Sequence, residues 1–163
     1  MLFSYNLAFE SLLDITPDII KGQCAKGIIL DIDNTCTTHD NPVPIEGLRE
    51  WVAAMKNAGI KLIIVSNNHE PRVRPFAELI GLDFVCEGAK PLPKGYIEGC
   101  RRMGIKCREG IAIGDQIYTD ILGANLCGMR SILLRPIEPE KTMFFKFKRW
   151  AEKPFLPKVY RRG

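Results

Sequence analysis

Asp31 and Asp33 stand one residue apart at the end of a short apolar run, Gly27-Ile28-Ile29-Leu30. In an extended chain, residues i and i+2 point to the same side, so both carboxylates can reach one small site. Carboxylates paired in this way suit metal binding, nucleophilic attack and proton transfer. Asp and Asn are also common in turns after strands, and a turn starting at Asp33 would change the geometry. A calcium loop fits poorly: its sixth position is Cys36 rather than Gly, and its twelfth is Pro42 rather than Glu.

Three other polar clusters follow apolar runs. Ser66-Asn67-Asn68 comes after Leu62-Ile63-Ile64-Val65, Lys90 after the short run at 83–86, and Gly114-Asp115 after Gly110-Ile111-Ala112-Ile113. Hydrophobic periodicity predicts strands at 27–30, 61–65, 83–86, 110–113 and 131–134. It predicts helices at 45–58, 71–80, 94–103 and 118–127. Strands alternating with helices imply an α/β fold with a parallel sheet covered on both faces. In such a sheet the strand ends emerge along one edge, where ligands bind. Carboxylates, a hydroxyl and an ammonium gathered there suit a Mg²⁺-held phosphate.

Asp31-Ile32-Asp33-Asn34-Thr35, Ser66, Lys90-Pro91 and Gly114-Asp115-Gln116-Ile117-Tyr118-Thr119-Asp120 resemble, in order and spacing, the four motifs of the haloacid dehalogenase-like (HAD) phosphatases. The detail of the motifs is similar to the YqeG subgroup of HAD subclass IIIA, which is itself similar to the mitochondrial phosphatidylglycerophosphate phosphatases. The resemblance implies a three-layer Rossmann-like fold with a five-stranded sheet ordered 5-4-1-2-3. It implies a Mg²⁺-dependent phosphomonoesterase in which Asp31 is the nucleophile and Asp33 the general acid and base. Thr35, Ser66, Asn67 and Lys90 would serve the phosphate or its loop. Asp31, the Asp33 backbone carbonyl and Asp115 would hold the metal, with Asp120 in support. Lys94 competes with Lys90 for the motif, and Lys90 is preferred because Lys-Pro matches it. Family dehalogenases lack an acid at the position of Asp33, which points to phosphoryl transfer.

The segments between the motifs are short. Residues 36–65 are used by one loop, one helix and one strand, and 67–89 by one helix and a short strand, so no cap domain is expected. An uncapped site favours a large or surface-presented substrate, or closure by a neighbouring subunit, which leaves oligomerisation open. Three segments are expected: a helical segment at 1–26 packing on the core, the HAD core at 27–136 and a tail at 137–163. Residues 141–163 carry eight Lys or Arg and one acid, Glu152, so the net +4 of the chain divides into +7 there and −3 in the remainder. Lys141, Lys146, Lys148, Arg149, Lys153, Lys158, Arg161 and Arg162 interleave with Phe144, Phe145, Phe147, Trp150, Phe155 and Tyr160. Cations with aromatic anchors suit an anionic membrane surface. Met143, Phe147 and Trp150 also recur at helical spacing, a pattern that would equally pack on the domain. The chain shows no RNA-binding motif, which argues against nucleic acid.

The substrate these features favour is phosphatidylglycerophosphate. The alternatives are a phosphoprotein, nucleic-acid end or sugar phosphate, or a non-enzymatic phosphate-binding or ribosome-associated module. The six cysteines form no Cys-x-x-Cys pair, which argues against structural zinc and fits a reducing compartment. The first positive side chain is Lys21, so no secretory or transit signal is visible, and no apolar run approaches a membrane span. A cytoplasmic protein, peripheral at the inner face of a membrane, is expected.

Overall fold

A computed structural model describes residues 2–139 and 142–163; Lys141 of the basic tail lies outside them, as does the side chain of Phe145. Six strands form a single parallel sheet: β1 (Leu7–Phe9), β2 (Gly27–Leu30), β3 (Lys61–Val65), β4 (Asp83–Val85), β5 (Gly110–Gly114) and β6 (Arg130–Leu134). Their spatial order is β1-β6-β5-β2-β3-β4. Helices α1 (Pro17–Gly22), α2 (Leu48–Asn57), α3 (Glu70–Ile80), α4 (Pro93–Met103), α5 (Leu122–Leu126) and α6 (Met143–Glu152) accompany it. Both sheet faces are buried, as continuous apolar strands require. Ile28, Leu30, Leu62 and Ile64 join the core under Leu48, Val52, Val73 and Phe76. The alternate residues Ile29, Ile63 and Val65 join Tyr96, Cys100 and Met103 on the other face.

The predicted five-stranded order is present as β6-β5-β2-β3-β4, and a sixth strand extends it. Within the segment 1–26, expected to be helical, residues 5–15 contribute β1 and a single 3₁₀ turn at Leu12–Asp14. The outer edge of β6 presents unpaired backbone groups, and pairing them outweighs the helical spacing of Tyr5, Phe9 and Leu12. Leu7 pairs with Ile132 and Phe9 with Leu134. Asn6 donates its N–H to the Ser131 carbonyl at 2.9 Å and accepts the Ser131 N–H on its side-chain oxygen at 3.0 Å. Ser11 and Asp14 then cap the 3₁₀ turn reciprocally. The predicted helix at 118–127 is split into a π-helical turn at Ile117–Ile121 and α5.

The tail divides in two. Phe155 packs on Phe3 (ring centroids 4.9 Å apart) and on Tyr118 (6.3 Å), and Leu156 and Tyr160 join the same cluster. Arg161 covers the outer edge of β1: its N–H donates to Ala8 at 3.0 Å, and its carbonyl accepts from Glu10 at 2.9 Å. Met143, Phe144, Phe147 and Trp150 stay exposed. Among the described residues, no helix is long and apolar enough to cross a membrane.

Candidate active site

Sheet register brings the predicted residues together. Leu30 pairs with Ile113 on one side and Ile64 on the other. One step further, Asp31 lies level with Gly114 and Val65, and Asp115 and Ser66 follow at the ends of their strands. β2 is the switch point from which the chain winds both ways, the usual place for a ligand in an open parallel sheet. A cavity of about 160 Å³ opens there, lined by Asp31, Asp33, Ser66, Asn67, Lys90 and Lys148 among others.

Lys90 is the centre of the charge network. Its Nζ donates to Asp31 at 2.5 Å and to Asp120 at 2.7 Å, and its side chain is 5% exposed. Burial acts to lower the Lys90 pKa, but Asp120 and Asp31 outweigh it, so the group is held above its ordinary value and stays cationic. Burial pushes the Asp31 carboxyl up to about 7, opposed by Lys90 and assisted by Asp120. Lys94, the competing lysine, is exposed on α4.

Asp120 lies in the π-helical turn, from which it meets Lys90. Tyr96 of α4 anchors that turn, donating its hydroxyl to the Thr119 carbonyl at 3.0 Å. The other Asp120 oxygen accepts the Gln116 N–H at 3.1 Å. Asn67 positions Lys90 from the opposite side: its amide oxygen accepts the Lys90 N–H at 2.7 Å, and its amide nitrogen donates to the Lys90 carbonyl at 3.0 Å. Asn67, predicted as a phosphate ligand, lines the cavity and also clamps the Lys90 backbone. The Ser66 hydroxyl lines the cavity and accepts the Asn68 N–H at 3.1 Å. Thr35 is buried beside the site but borders a different groove, next to Ile45 and Leu134; its N–H closes a turn onto Ile32.

Asp33 leaves the Lys90 network. Its oxygens accept from Asn68 Nδ2 at 2.6 Å and from Arg72 Nη2 at 2.9 Å. Arg72 lies in the first turn of α3, four residues after Asn68, and donates to the Asn41 carbonyl as well. Its role went unread in the sequence. Its place in the first helical turn after the Ser66-Asn67-Asn68 loop is the one signal that could have linked it to the site.

Asp31, Asp115 and Asp120 offer carboxylate oxygens that all lie within 4.8 Å of one another. Asp115 Oδ1 is buried with no hydrogen-bond partner among the described residues. A hard divalent cation fits this all-oxygen donor set and that orphaned acceptor. The second Asp115 oxygen ion-pairs with Arg149 of α6. Burial pulls the Arg149 guanidinium below its ordinary pKa, against the opposing pull of Glu152. Lys148, next in sequence, donates to Gln116 Oε1 at 2.5 Å and lines the cavity. Both cations were grouped with the tail's surface charge; the fold turns them inward.

Residues 36–128 match the family model described as haloacid dehalogenase-like hydrolase. The chain is also 38% identical, over 94% of its length and 90% of the relative's, to the "Probable phosphatase YqeG" of Bacillus subtilis. The chain belongs to the haloacid dehalogenase-like hydrolases. This HAD-like hydrolase is 29% identical to a glyceraldehyde 3-phosphate phosphatase of Pyrococcus furiosus, over 83% of its own length and 55% of that protein's. In fold it resembles the cobalt-bound deoxy-D-mannose-octulosonate 8-phosphate phosphatase of Haemophilus influenzae, with a TM-score of 0.57 at 14% identity, covering 78% of this chain and 77% of that one.

Proposed function

We propose that this HAD-like hydrolase is a Mg²⁺-dependent phosphomonoesterase working through an aspartyl-phosphate, and that its substrate is phosphatidylglycerophosphate. The observation that carries the chemistry is Lys90 Nζ between Asp31 and Asp120, beside the orphaned oxygen of Asp115. Asp31 attacks phosphorus, forming a P–O bond to its carboxylate as the ester P–O bond breaks. Asp33 gives its proton to the departing alkoxide. Water then attacks the aspartyl-phosphate and passes its proton to Asp33, which restores Asp31 and releases phosphate. Lys90 neutralises phosphoryl charge and holds Asp31 in place, and Ser66 donates to a phosphoryl oxygen. Asp31, Asp115 and the Asp33 carbonyl would hold Mg²⁺, with Asp120 in support; the bound ion offsets the repulsion between an anionic nucleophile and an anionic phosphate.

The lipid assignment is supported by the site's surroundings. The rim carries Lys148, from a helix otherwise rich in aromatic and basic residues. Membership of subclass IIIA, alongside the mitochondrial phosphatidylglycerophosphate phosphatases, is part of the same reading. A soluble sugar phosphate is the second reading, favoured by the likeness to a glyceraldehyde 3-phosphate phosphatase. The test is phosphate release from phosphatidylglycerophosphate vesicles with Mg²⁺, with Asp31→Asn alongside. Asp31→Asn is expected to lose at least about 10³-fold in turnover. Turnover of soluble sugar phosphates and none of the lipid would overturn the assignment.

A further inference from the structure

A helix on a protein surface ordinarily turns its apolar stripe to the core and its charges to water. Helix α6 is mounted the other way. With 3.6 residues per turn, Met143, Phe144, Phe147 and Trp150 share one side, while Lys148, Arg149 and Glu152 share the opposite side. The apolar set faces solvent at 80%, 72%, 67% and 62% exposure. The charged set faces the protein. Arg149 pairs with Asp115 and Glu152, Lys148 bonds Gln116, and Glu152 accepts the Tyr118 N–H at 3.1 Å with its side chain fully buried. Charged contacts to the active site therefore fix the helix and hold its aromatic face outward.

We infer that the Met143, Phe144, Phe147 and Trp150 face of α6 is a docking surface for an anionic lipid bilayer. The same helix lines the catalytic cavity through Lys148 on its other side. The inference deepens the lipid-phosphate reading and rests on it for the substrate, not for the surface. Charge argues for this occupant. The exposed side chains of 142–163 include Lys146, Lys153, Lys158, Arg161 and Arg162; the single acid of the segment, Glu152, is buried. Trp and Phe flanked by Lys and Arg suit the headgroup boundary, where rings enter the acyl region and cations meet lipid phosphates. A second copy of this chain is disfavoured, because a two-fold contact through the patch would bring the same cations together. RNA is disfavoured too. Met143 offers no ring for a base, and Phe147 and Trp150 stack on each other, with centroids 5.8 Å apart and planes 26° apart.

Flotation of the full chain tests this, with phosphatidylcholine vesicles against vesicles containing phosphatidylglycerol, neither holding substrate. Binding to the anionic vesicles alone is expected. Trp51 is buried on the Ile15 carbonyl, so a blue shift in emission reports Trp150 entering lipid. Phe147→Ser with Trp150→Ser is expected to weaken partitioning at least about a hundredfold, the scale of burying two aromatic side chains. A circular-dichroism melt checks its folding. Lys146→Glu with Lys153→Glu, which leaves the aromatic face intact, is expected to weaken it as well. Four results would overturn the inference: no anionic flotation, flotation unchanged by the aromatic variant, a dimer that shields Trp150, or single-stranded RNA displacing the vesicles. Phosphate release from a soluble aryl phosphate is measured separately, so its failure removes the catalytic reading and leaves the docking result standing.

Discussion

Arg149 of α6 ion-pairs with the Asp115 carboxylate and donates to the Asp115 backbone carbonyl at 2.5 Å. The contact leaves Asp115 Oδ1 presented and orphaned. Residues that hold a metal ligand in this way typically raise metal affinity by 10- to 100-fold. Arg149→Gln is therefore expected to weaken Mg²⁺ binding about tenfold by calorimetry. Its metal-free melting temperature should also fall, because Glu152 loses a buried cation. Tighter Mg²⁺ binding would show that Arg149 competes with the metal instead.

Lys90 bridges the buried Asp120 and Asp31, whose side chain is 13% exposed. Lys90→Met would leave Asp31 and Asp120 facing one another without a cation, at a cost of about 3–5 kcal/mol in denaturant unfolding. Adding Asp120→Asn should recover part of that stability and none of the turnover. Full recovery of activity would remove Lys90 from the chemistry.

Arg72 and Asn68 hold the Asp33 carboxylate, so the proton delivery proposed for Asp33 should depend on both. Arg72→Ala is expected to lower kcat about tenfold on an alkyl phosphomonoester, a fraction of the 10²–10⁴-fold that a general acid supplies. On p-nitrophenyl phosphate, whose leaving group departs without a proton, the loss should be small. An equal loss on both substrates would mean that Arg72 acts on the fold alone.

Gly114 has no side chain because the Asp120 carboxylate occupies the place a Cβ would take. Gly114→Ala should push Asp120 off Lys90 and destabilise the chain by about 1–3 kcal/mol, the usual scale of overpacking. The companion observation is turnover, which should fall together with the melting temperature.

Much of the candidate site was legible in the sequence because polar groups at the ends of apolar strands are local signals. Asp31, Ser66 and Asp115 directly follow such runs and parallel register carries them to one edge, while Lys90, in the loop after β4, is held there by Asn67. Asp120 was legible as a motif residue, but the π-helical turn that carries it is announced by no spacing. Strand β1 was misread because Tyr5, Phe9 and Leu12 do fall at helical spacing. The unpaired edge of β6 decides the matter, and that edge is more than one hundred residues away.

Sequence alone therefore determined the parallel sheet, the position of the site and the chemical type of its groups, since local periodicity and strand ends depend on neighbouring residues. Only the tertiary structure decided which charges meet. Asp33 turned to Arg72 rather than Lys90, and Arg149 turned to Asp115 rather than to solvent. It also decided which face of α6 is buried. Helical spacing places Met143, Phe147 and Trp150 on one side, but periodicity does not say which side meets the protein. Buried ion pairs at Arg149 and Glu152 settle that, because a charge taken out of water needs a partner nearby.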